Sequence, residues 1–268
     1  MTSQLHIPQT TYGKDLVHSI WQTGGSPGFN QEHIIPQGII EVIFNFGESG
    51  PVSARLGNHQ CHLPKCFING YNKSSIQLSL PASLEFFGIR FQPLAIKKIF
   101  GTPAREFADK LVDGALVDSS INSLWHQLAE QSSFDNRTTV FLRWLQVNLH
   151  DWQNQEKMVN QFLSAIDQHD LSVKQLAGSL CYSPRHLARK LYDVTGMNTE
   201  EVLLYKKYLH AVHLIHHSEL SLTAIAYNSH FADQSHCIKA FKTYSGITPG
   251  DYKRNKSFLK GHLYNNVR

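Results

Sequence analysis

Leu171-Ser172-Val173-Lys174-Gln175-Leu176-Ala177 returns 49 residues later as Leu220-Ser221-Leu222-Thr223-Ala224-Ile225-Ala226. Leu187-Ala188-Arg189-Lys190-Leu191 is echoed by Cys237-Ile238-Lys239-Ala240-Phe241, and Thr195-Gly196-Met197 by Ser245-Gly246-Ile247. In the first copy Val173, Leu176, Ala177 and Leu180 follow the i, i+3, i+4, i+7 spacing of one apolar helical face. Ser172 precedes that stripe as an N-cap, with Gln175 placed to close a capping box. Ser183 caps the next helix and Pro184 takes its first position, where a missing N–H costs nothing. In the second copy Ser221 and Asp233 are the caps, and Cys237, Ala240, Phe241 and Tyr244 form the inward stripe of the later helix. Each copy therefore reads as helix, tight turn, helix and glycine stop, which is the helix-turn-helix pattern.

Between the copies, residues 199–218 contain neither Gly nor Pro. Val202, Tyr205, Leu209 and Val212 make one apolar stripe, and Leu204, Tyr208, Ala211 and Ile215 a second, so the spacing predicts a largely buried helix. Twenty residues span about 30 Å, close to the ~34 Å between successive major grooves on one face of a duplex.

Phe231-Ala232-Asp233-Gln234-Ser235-His236, with Ala240-Phe241-Lys242 and residues 246–254 (Gly-Ile-Thr-Pro-Gly-Asp-Tyr-Lys-Arg), resembles the signature end of AraC-type transcriptional regulators. The resemblance runs from about Val159 to Arg254. It implies an all-helical DNA-binding domain whose two recognition helices are joined by the long central helix. Carried over residue by residue, it implies base-facing roles for Arg185, Ala188 and Arg189 in the first recognition helix. In the second it implies the same for Gln234, Ser235, His236, Ile238 and Lys239. Arginine suits guanine O6 and N7, glutamine suits adenine, and isoleucine can touch a thymine methyl. Three positions depart from the family pattern: His230 stands where a turn glycine is usual, Tyr208 where the central helix usually has arginine, and Ala188 where a longer polar side chain is common.

The charge distribution agrees. Residues 171–268 hold 13 Lys+Arg against 6 Asp+Glu, whereas the first 170 hold 12 against 15. A basic module beside a mildly acidic one is the footprint of a nucleic-acid domain carried by a second domain.

The first half changes period. Ile40, Val42, Phe44 and Phe46 alternate with Glu41, Ile43 and Asn45, and Gly47-Glu48-Ser49-Gly50-Pro51 ends that strand as a turn. Ile76, Leu78 and Leu80 alternate again, and residues 84–91 make an aromatic strand. Short strands separated by Gly, Pro and Asn predict a small β-barrel or sandwich. After Pro93 the period becomes helical: Thr102-Pro103 opens a short helix, and residues 120–131 and 136–148 read as longer ones. Met158, Val159, Phe162, Leu163 and Ile166 begin the helix leading into the repeat, with the boundary near the polar stretch 151–155.

The reading is thus an α+β chain of two domains: a β-rich sensory or dimerisation domain at 1–152, an AraC-type DNA-binding domain at 153–256, and a tail at 257–268. Residues 36–45 resemble the sensory region of a subgroup of the same regulators, which implies a ligand-sensing or dimerising domain. Glu41, Asn45 and Arg90 are the candidate effector-pocket residues, against the simpler reading that they lie on solvated strand faces. Trp125, Phe141 and Trp144 are either interface aromatics of a homodimer or residues covering the sheet.

Other classes find little support. The start Met1-Thr2-Ser3-Gln4-Leu5-His6 lacks a signal-peptide pattern, no apolar run is long enough to span a membrane, and 4 scattered cysteines fit a reducing, cytoplasmic setting. His59, Cys61, His62 and Cys66 crowd four soft ligands into one loop, whereas zinc favours two pairs separated by a longer segment; no metal and no cofactor is expected. No P-loop, G-x-S-x-G, G-x-G-x-x-G or H-E-x-x-H is present, so no enzyme is expected. The expected partners are double-stranded DNA, an unknown small-molecule effector, a second copy of the chain, and RNA polymerase. The competing reading is a small-molecule- or metal-binding β-barrel protein whose helical tail mediates protein contacts.

Overall fold

The computed structural model describes residues 2–9, 16–149, 154–165 and 171–265. Two antiparallel sheets are built from the first half of the chain and one C-terminal strand. One has six strands in the order β1 (Thr2–His6), β2 (Val17–Gly25), β9 (Leu84–Phe91), β4 (Ile40–Asn45), β7 (Cys66–Asn69), β10 (Leu111–Asp113). The other has five, in the order β11 (His262–Asn265), β3 (Gln31–Ile34), β8 (Ile76–Ser79), β5 (Ser53–Leu56), β6 (His59–His62). Each sheet keeps two free edges, so of the two architectures left open by the sequence this is the sandwich and not a closed barrel.

Strand β4 differs from its sequence pattern. Ile40, Val42 and Phe44 are buried as expected, but so are Glu41 and Ile43 on the opposite face. The cause is a layer on each side. One face of the six-stranded sheet meets the second sheet across a core of Ile43, Val52, Ala54, Phe67, Leu80 and Phe86. The other is covered by helices, with Phe87 against Phe134 at 6.1 Å and Phe91 against Phe141 at 6.1 Å between ring centroids.

Those covering helices are α3 (Ser120–Ala129) and α4 (Phe134–Val147), which follow α1 (Ala95–Phe100), a 3-10 turn at Ala104–Phe107 and the short α2 (Gly114–Val117). Trp125 donates its indole N–H to the Asn45 carbonyl at 3.0 Å, and Trp144 to the Ser120 hydroxyl at 3.2 Å. Both tryptophans pack on the core, as does the buried Phe141. These aromatics cover the sheet.

Helix α5 (Asn154–Ser164) joins the halves. Val159, Phe162 and Leu163 are buried, whereas Ile166 and residues 151–153 of the expected boundary lie outside the described residues. The Asn160 carboxamide oxygen accepts the Leu94 N–H at 3.0 Å. From the other side, the buried Lys206 donates to the Phe162 carbonyl at 2.6 Å and to the Ala165 carbonyl. A cation placed on the last carbonyls of a helix satisfies groups that have no intrahelical partner.

The helical half packs on the sheets through its central helix. Tyr205 is fully buried; its hydroxyl donates to the Asn72 carbonyl at 2.8 Å and accepts the Gly38 N–H at 3.1 Å. Tyr208 donates to the Pro36 carbonyl at 3.1 Å, which gives a physical reason for tyrosine where the family usually has arginine. Gly38 adopts φ +67, a conformation that L side chains rarely adopt, so this loop favours glycine.

Residues 257–265, read in the sequence as part of a tail, fold back onto the β-sandwich. Strand β11 pairs antiparallel with β3, His262 opposite Ile34 and Asn265 opposite Gln31. Leu263 is buried, Tyr264 stacks on Phe29 at 3.9 Å, and His262 Nδ1 meets the Glu32 carboxylate at 2.6 Å. The helical domain is therefore tied to the β-sandwich at both of its ends. Nothing in the local pattern of residues 257–265 announces this, because the strand exists only through its distant partner.

Candidate nucleic-acid interface

The two helix-turn-helix units form from the residues read in the sequence. Helix α6 (Val173–Ser179) starts at Ser172, whose side chain and that of Gln175 close a reciprocal capping box. Ser183 caps α7 (Pro184–Thr195) by accepting the His186 N–H. The central helix α8 (Thr199–His217) is capped by Asn198 and Glu201. In the second unit Ser221 caps α9 (Leu222–Asn228), and Asp233 caps α10 (Gln234–Ser245). Thr248 and Asp251 box the start of α11 (Pro249–Asn255).

The turns match in detail. Cys181 and His230 both adopt φ +57, the left-handed conformation. After each, the next residue's N–H returns to the first helix: Tyr182 to the Ala177 carbonyl at 2.9 Å, Phe231 to the Ala226 carbonyl at 3.1 Å. His230 thus holds the left-handed conformation that the usual glycine would adopt, and Cys181 does the same in the first unit. Gly196 and Gly246 end α7 and α10 in left-handed caps.

Helix α8 has 19 residues, about 28 Å at 1.5 Å per residue. Leu187, Leu191 and Val194 of α7 and Cys237, Ala240, Phe241 and Tyr244 of α10 are buried. That packing turns one face of each recognition helix outward. Arg185 and Arg189 are exposed one turn apart on α7, and Ala188 between them is half-buried. Among the described residues no side chain engages either guanidinium. Gln234, Ser235, His236 and Lys239 are exposed on α10, with Ile238 half-buried. The His236 ring stands edge-on to Phe231 at 5.3 Å, and Gln234 Oε1 accepts the Thr223 hydroxyl at 2.8 Å. The C-terminal ends of both helices rest on the β-domain: Asp193 of α7 pairs with Arg105, and the Ser245 carbonyl of α10 accepts from His33 Nε2 at 3.0 Å. The N-terminal halves, which carry the residues the resemblance predicts to face bases, stay clear of those contacts.

A cavity of about 260 Å³ lies between the sheets. Glu41 and Arg90 line it; Asn45 does not. Glu41 is buried, and its carboxylate accepts from Arg90 Nε at 2.8 Å, Trp21 Nε1 at 3.1 Å and Asn69 Nδ2 at 3.4 Å. The Asn45 side chain instead accepts the Gly47 N–H at 2.9 Å and shapes the turn after β4. Asn72 also lines the cavity; its Nδ2 bonds Asn69, while its buried Oδ1 lacks a partner among the described residues. Leu259, His262 and Tyr264 close one wall from the C-terminal segment. Trp21, Asn69, Asn72 and His262 were missed by sequence reasoning, because four separate segments converge here and no local spacing marks them.

His59 to His62 form the exposed edge strand β6, where alternate side chains point to opposite faces, while Cys66 is buried in β7. Burial pushes the Cys66 thiol well above the ordinary cysteine range. Among the described residues no three His, Cys, Asp or Glu side chains come together as a metal site, and no helix is long and apolar enough to cross a membrane.

Residues 176–255 match the family described as a helix-turn-helix domain, and residues 14–113 match a domain of unknown function, DUF6597. The chain is similar to the HTH-type transcriptional activator RhaS of Escherichia coli O157:H7, 30% identical over 115 residues, which is 42% of this chain and 40% of that one. RhaS of Citrobacter koseri is 28% identical over 109 residues, 40% of this chain and 39% of that one. The chain thus spans about two fifths of the length of the curated relatives it matches. Among solved structures, ToxT from Vibrio cholerae is 13% identical with a TM-score of 0.49, covering 95% of this chain and 98% of that one. An AraC-type regulator structure from Chromobacterium violaceum is 18% identical with a TM-score of 0.36, covering 38% of this chain and 94% of that one.

Proposed function

Because the chain belongs, through its C-terminal domain, to the AraC-type family of helix-turn-helix regulators, we propose that it is a sequence-specific DNA-binding transcriptional regulator that reads two successive major grooves. The observation that carries this reading is the exposed pair of recognition faces. Arg185 and Arg189 stand free on one, and Gln234, Ser235, His236 and Lys239 are exposed on the other. The buried remainder of each helix locks onto one rigid central helix. Two such polar faces joined by a central helix of 19 residues, about 28 Å long, suit contacts about one helical turn of DNA apart. Arg185 and Arg189 supply bidentate donors for guanine, Ile238 an apolar contact for a thymine methyl, and Lys239 a cation for phosphate. Ala188 is too short to read a base edge and lets α7 lie close to it.

The cavity between the sheets is the effector site of this proposal. It is mostly apolar in lining, with a few convergent polar groups, the usual make-up of a small-molecule pocket. A ligand donor would complete Asn72 Oδ1. The chain acts in the cytoplasm, where its DNA is, and a second copy of the chain and RNA polymerase are further proposed partners.

Binding to random-sequence duplex over a range of salt concentrations tests the DNA reading. A regulator that neutralises several phosphates loses affinity steeply, with log K falling linearly in log salt. No measurable binding at low salt would contradict the proposal and favour the protein-contact alternative.

A further inference from the structure

The cavity between the sheets and the second recognition helix are held by the same segments. On strand β3, Glu32 and Ile34 line the cavity. His33 between them points to the opposite face, where its Nε2 donates to the Ser245 carbonyl of α10 at 3.0 Å. Pro36, Gly38 and Asn72 also line the cavity. Their backbone groups are the ones that hold the central helix: Tyr205 bonds Gly38 and Asn72, and Tyr208 bonds Pro36. Both tyrosine rings then lie against the inward face of α10. Tyr205 meets Tyr244 at 5.0 Å between centroids, and Tyr208 meets Phe241 at 5.2 Å.

The C-terminal wall reaches the same helix. Gly261, beside the lining residue His262, donates its N–H to the Tyr252 hydroxyl at 2.8 Å. The Tyr252 ring packs on Phe241 at 5.9 Å. Three wall segments, distant in sequence, thus end on Phe241, Tyr244 and Ser245.

The first unit is placed differently. Helix α7 meets the β-domain where Asp193 pairs with Arg105 and Gly196 lies against Ala108. Neither Arg105 nor Ala108 lines the cavity. The nearest link is the lining residue Gly70, packed on the Phe107 carbonyl, so α7 stands one layer further from the cavity than α10.

Tyr205, Tyr208, Phe241, Tyr244 and Tyr252 are all buried. A close-packed interior has low compressibility and transmits strain. The recognition faces already stand in the arrangement suited to two grooves, so an occupant that holds the cavity walls in place holds α10 in place as well.

We propose that the cavity is coupled to the second helix-turn-helix unit in preference to the first, a ligand that fills it raising DNA affinity by steadying α10 through Phe241, Tyr244 and Ser245. This rests on the reading of the cavity as the effector site.

The full-length protein and N-phenyl-1-naphthylamine, an uncharged apolar fluorophore, test it. Fluorescence reads binding of the probe, and Leu78→Trp, which places an indole at a lining position, abolishes that binding; Leu78→Phe replaces it should the tryptophan variant fail to fold. Affinity for a site selected from random DNA is measured with and without saturating probe, at low salt so that weakened variants still bind. The probe tightens wild-type binding about fivefold or more, the lower end of ordinary coupling between sites. DNA tightens the probe by the same factor. Arg185→Ala with Arg189→Ala keeps that factor, whereas Gln234→Ala with Lys239→Ala brings it close to one. An absent or opposite effect of the probe on DNA affinity overturns the coupling while leaving the cavity a ligand site. So does a factor that the α7 variant loses or the α10 variant keeps. Absence of probe binding, or binding that a folded Leu78 variant leaves unchanged, overturns the effector-site reading itself, and with it the proposal.

Discussion

Tyr205→Phe removes one oxygen and strands two backbone groups. The hydroxyl donates to the Asn72 carbonyl at 2.8 Å and accepts the Gly38 N–H at 3.1 Å, and the whole side chain is buried. The ring stays, so no cavity opens and the cost is polar. A buried donor or acceptor left unpaired costs about 1–3 kcal/mol. Two such groups, with some relaxation of the Gly38 loop, give an expected destabilisation of about 2–4 kcal/mol. Tyr208→Phe strands only the Pro36 carbonyl and is expected to cost about half as much. Burial raises both phenols well above the ordinary tyrosine range, so each remains a hydrogen donor at any pH the fold survives. Urea unfolding of the full chain measures both variants, and hydrogen exchange of the Gly38 amide localises the first. If Tyr205→Phe falls within about 0.5 kcal/mol of wild type, the scale of a surface change, or is milder than Tyr208→Phe, the account of the domain contact is refuted.

Deleting residues 257–268 removes β11, uncovering the edge of β3 and the cavity wall; faster amide exchange in residues 31–34 and a lower Tm are expected, and unchanged exchange would contradict the pairing. His33 is pushed below its ordinary 6.5 by burial, with the Ser245 carbonyl acting in the opposite sense. The unfolded chain then binds this proton more readily, so the His33 contribution is complete above about 6.5 and is lost as pH falls toward the folded pKa. Tm should drop as pH falls below about 6.5, with His33→Gln flattening the profile; a slope unaffected by that change would remove His33 as its cause. Arg189→Ala is expected to cost about 1–3 kcal/mol on a selected site and to relax one base pair, whereas equal loss on random DNA would make it a phosphate contact.

The helical half was legible because its signals are local. Ser172, Ser183, Ser221 and Asp233 each lie within three residues of the N–H they accept, and the stripes repeat at helical spacing. The β-half was legible in its strongest strands, β4, β8 and β9, and less so elsewhere. Glu41 alternates with Val42 and Phe44 as a solvated residue would, and only the second sheet, built from residues distant in sequence, buries it. Asn45 and Arg90 look alike as polar strand residues. One shapes a turn and the other lines the cavity, a difference set by topology. Strand β11 and the Thr223–Gln234 bond were hidden for related reasons: the first needs a partner more than two hundred residues away, the second needs the turn geometry before the two side chains can be seen to meet.

The central claim is that both recognition helices read one face of a duplex at once. Hydroxyl-radical footprinting of the full-length protein on a site selected from random DNA tests it most directly. The account predicts two protected segments about one helical turn apart on the same face, the one weakened by Arg189→Ala and the other by Lys239→Ala. A single protected segment, or two that neither substitution alters, would contradict it.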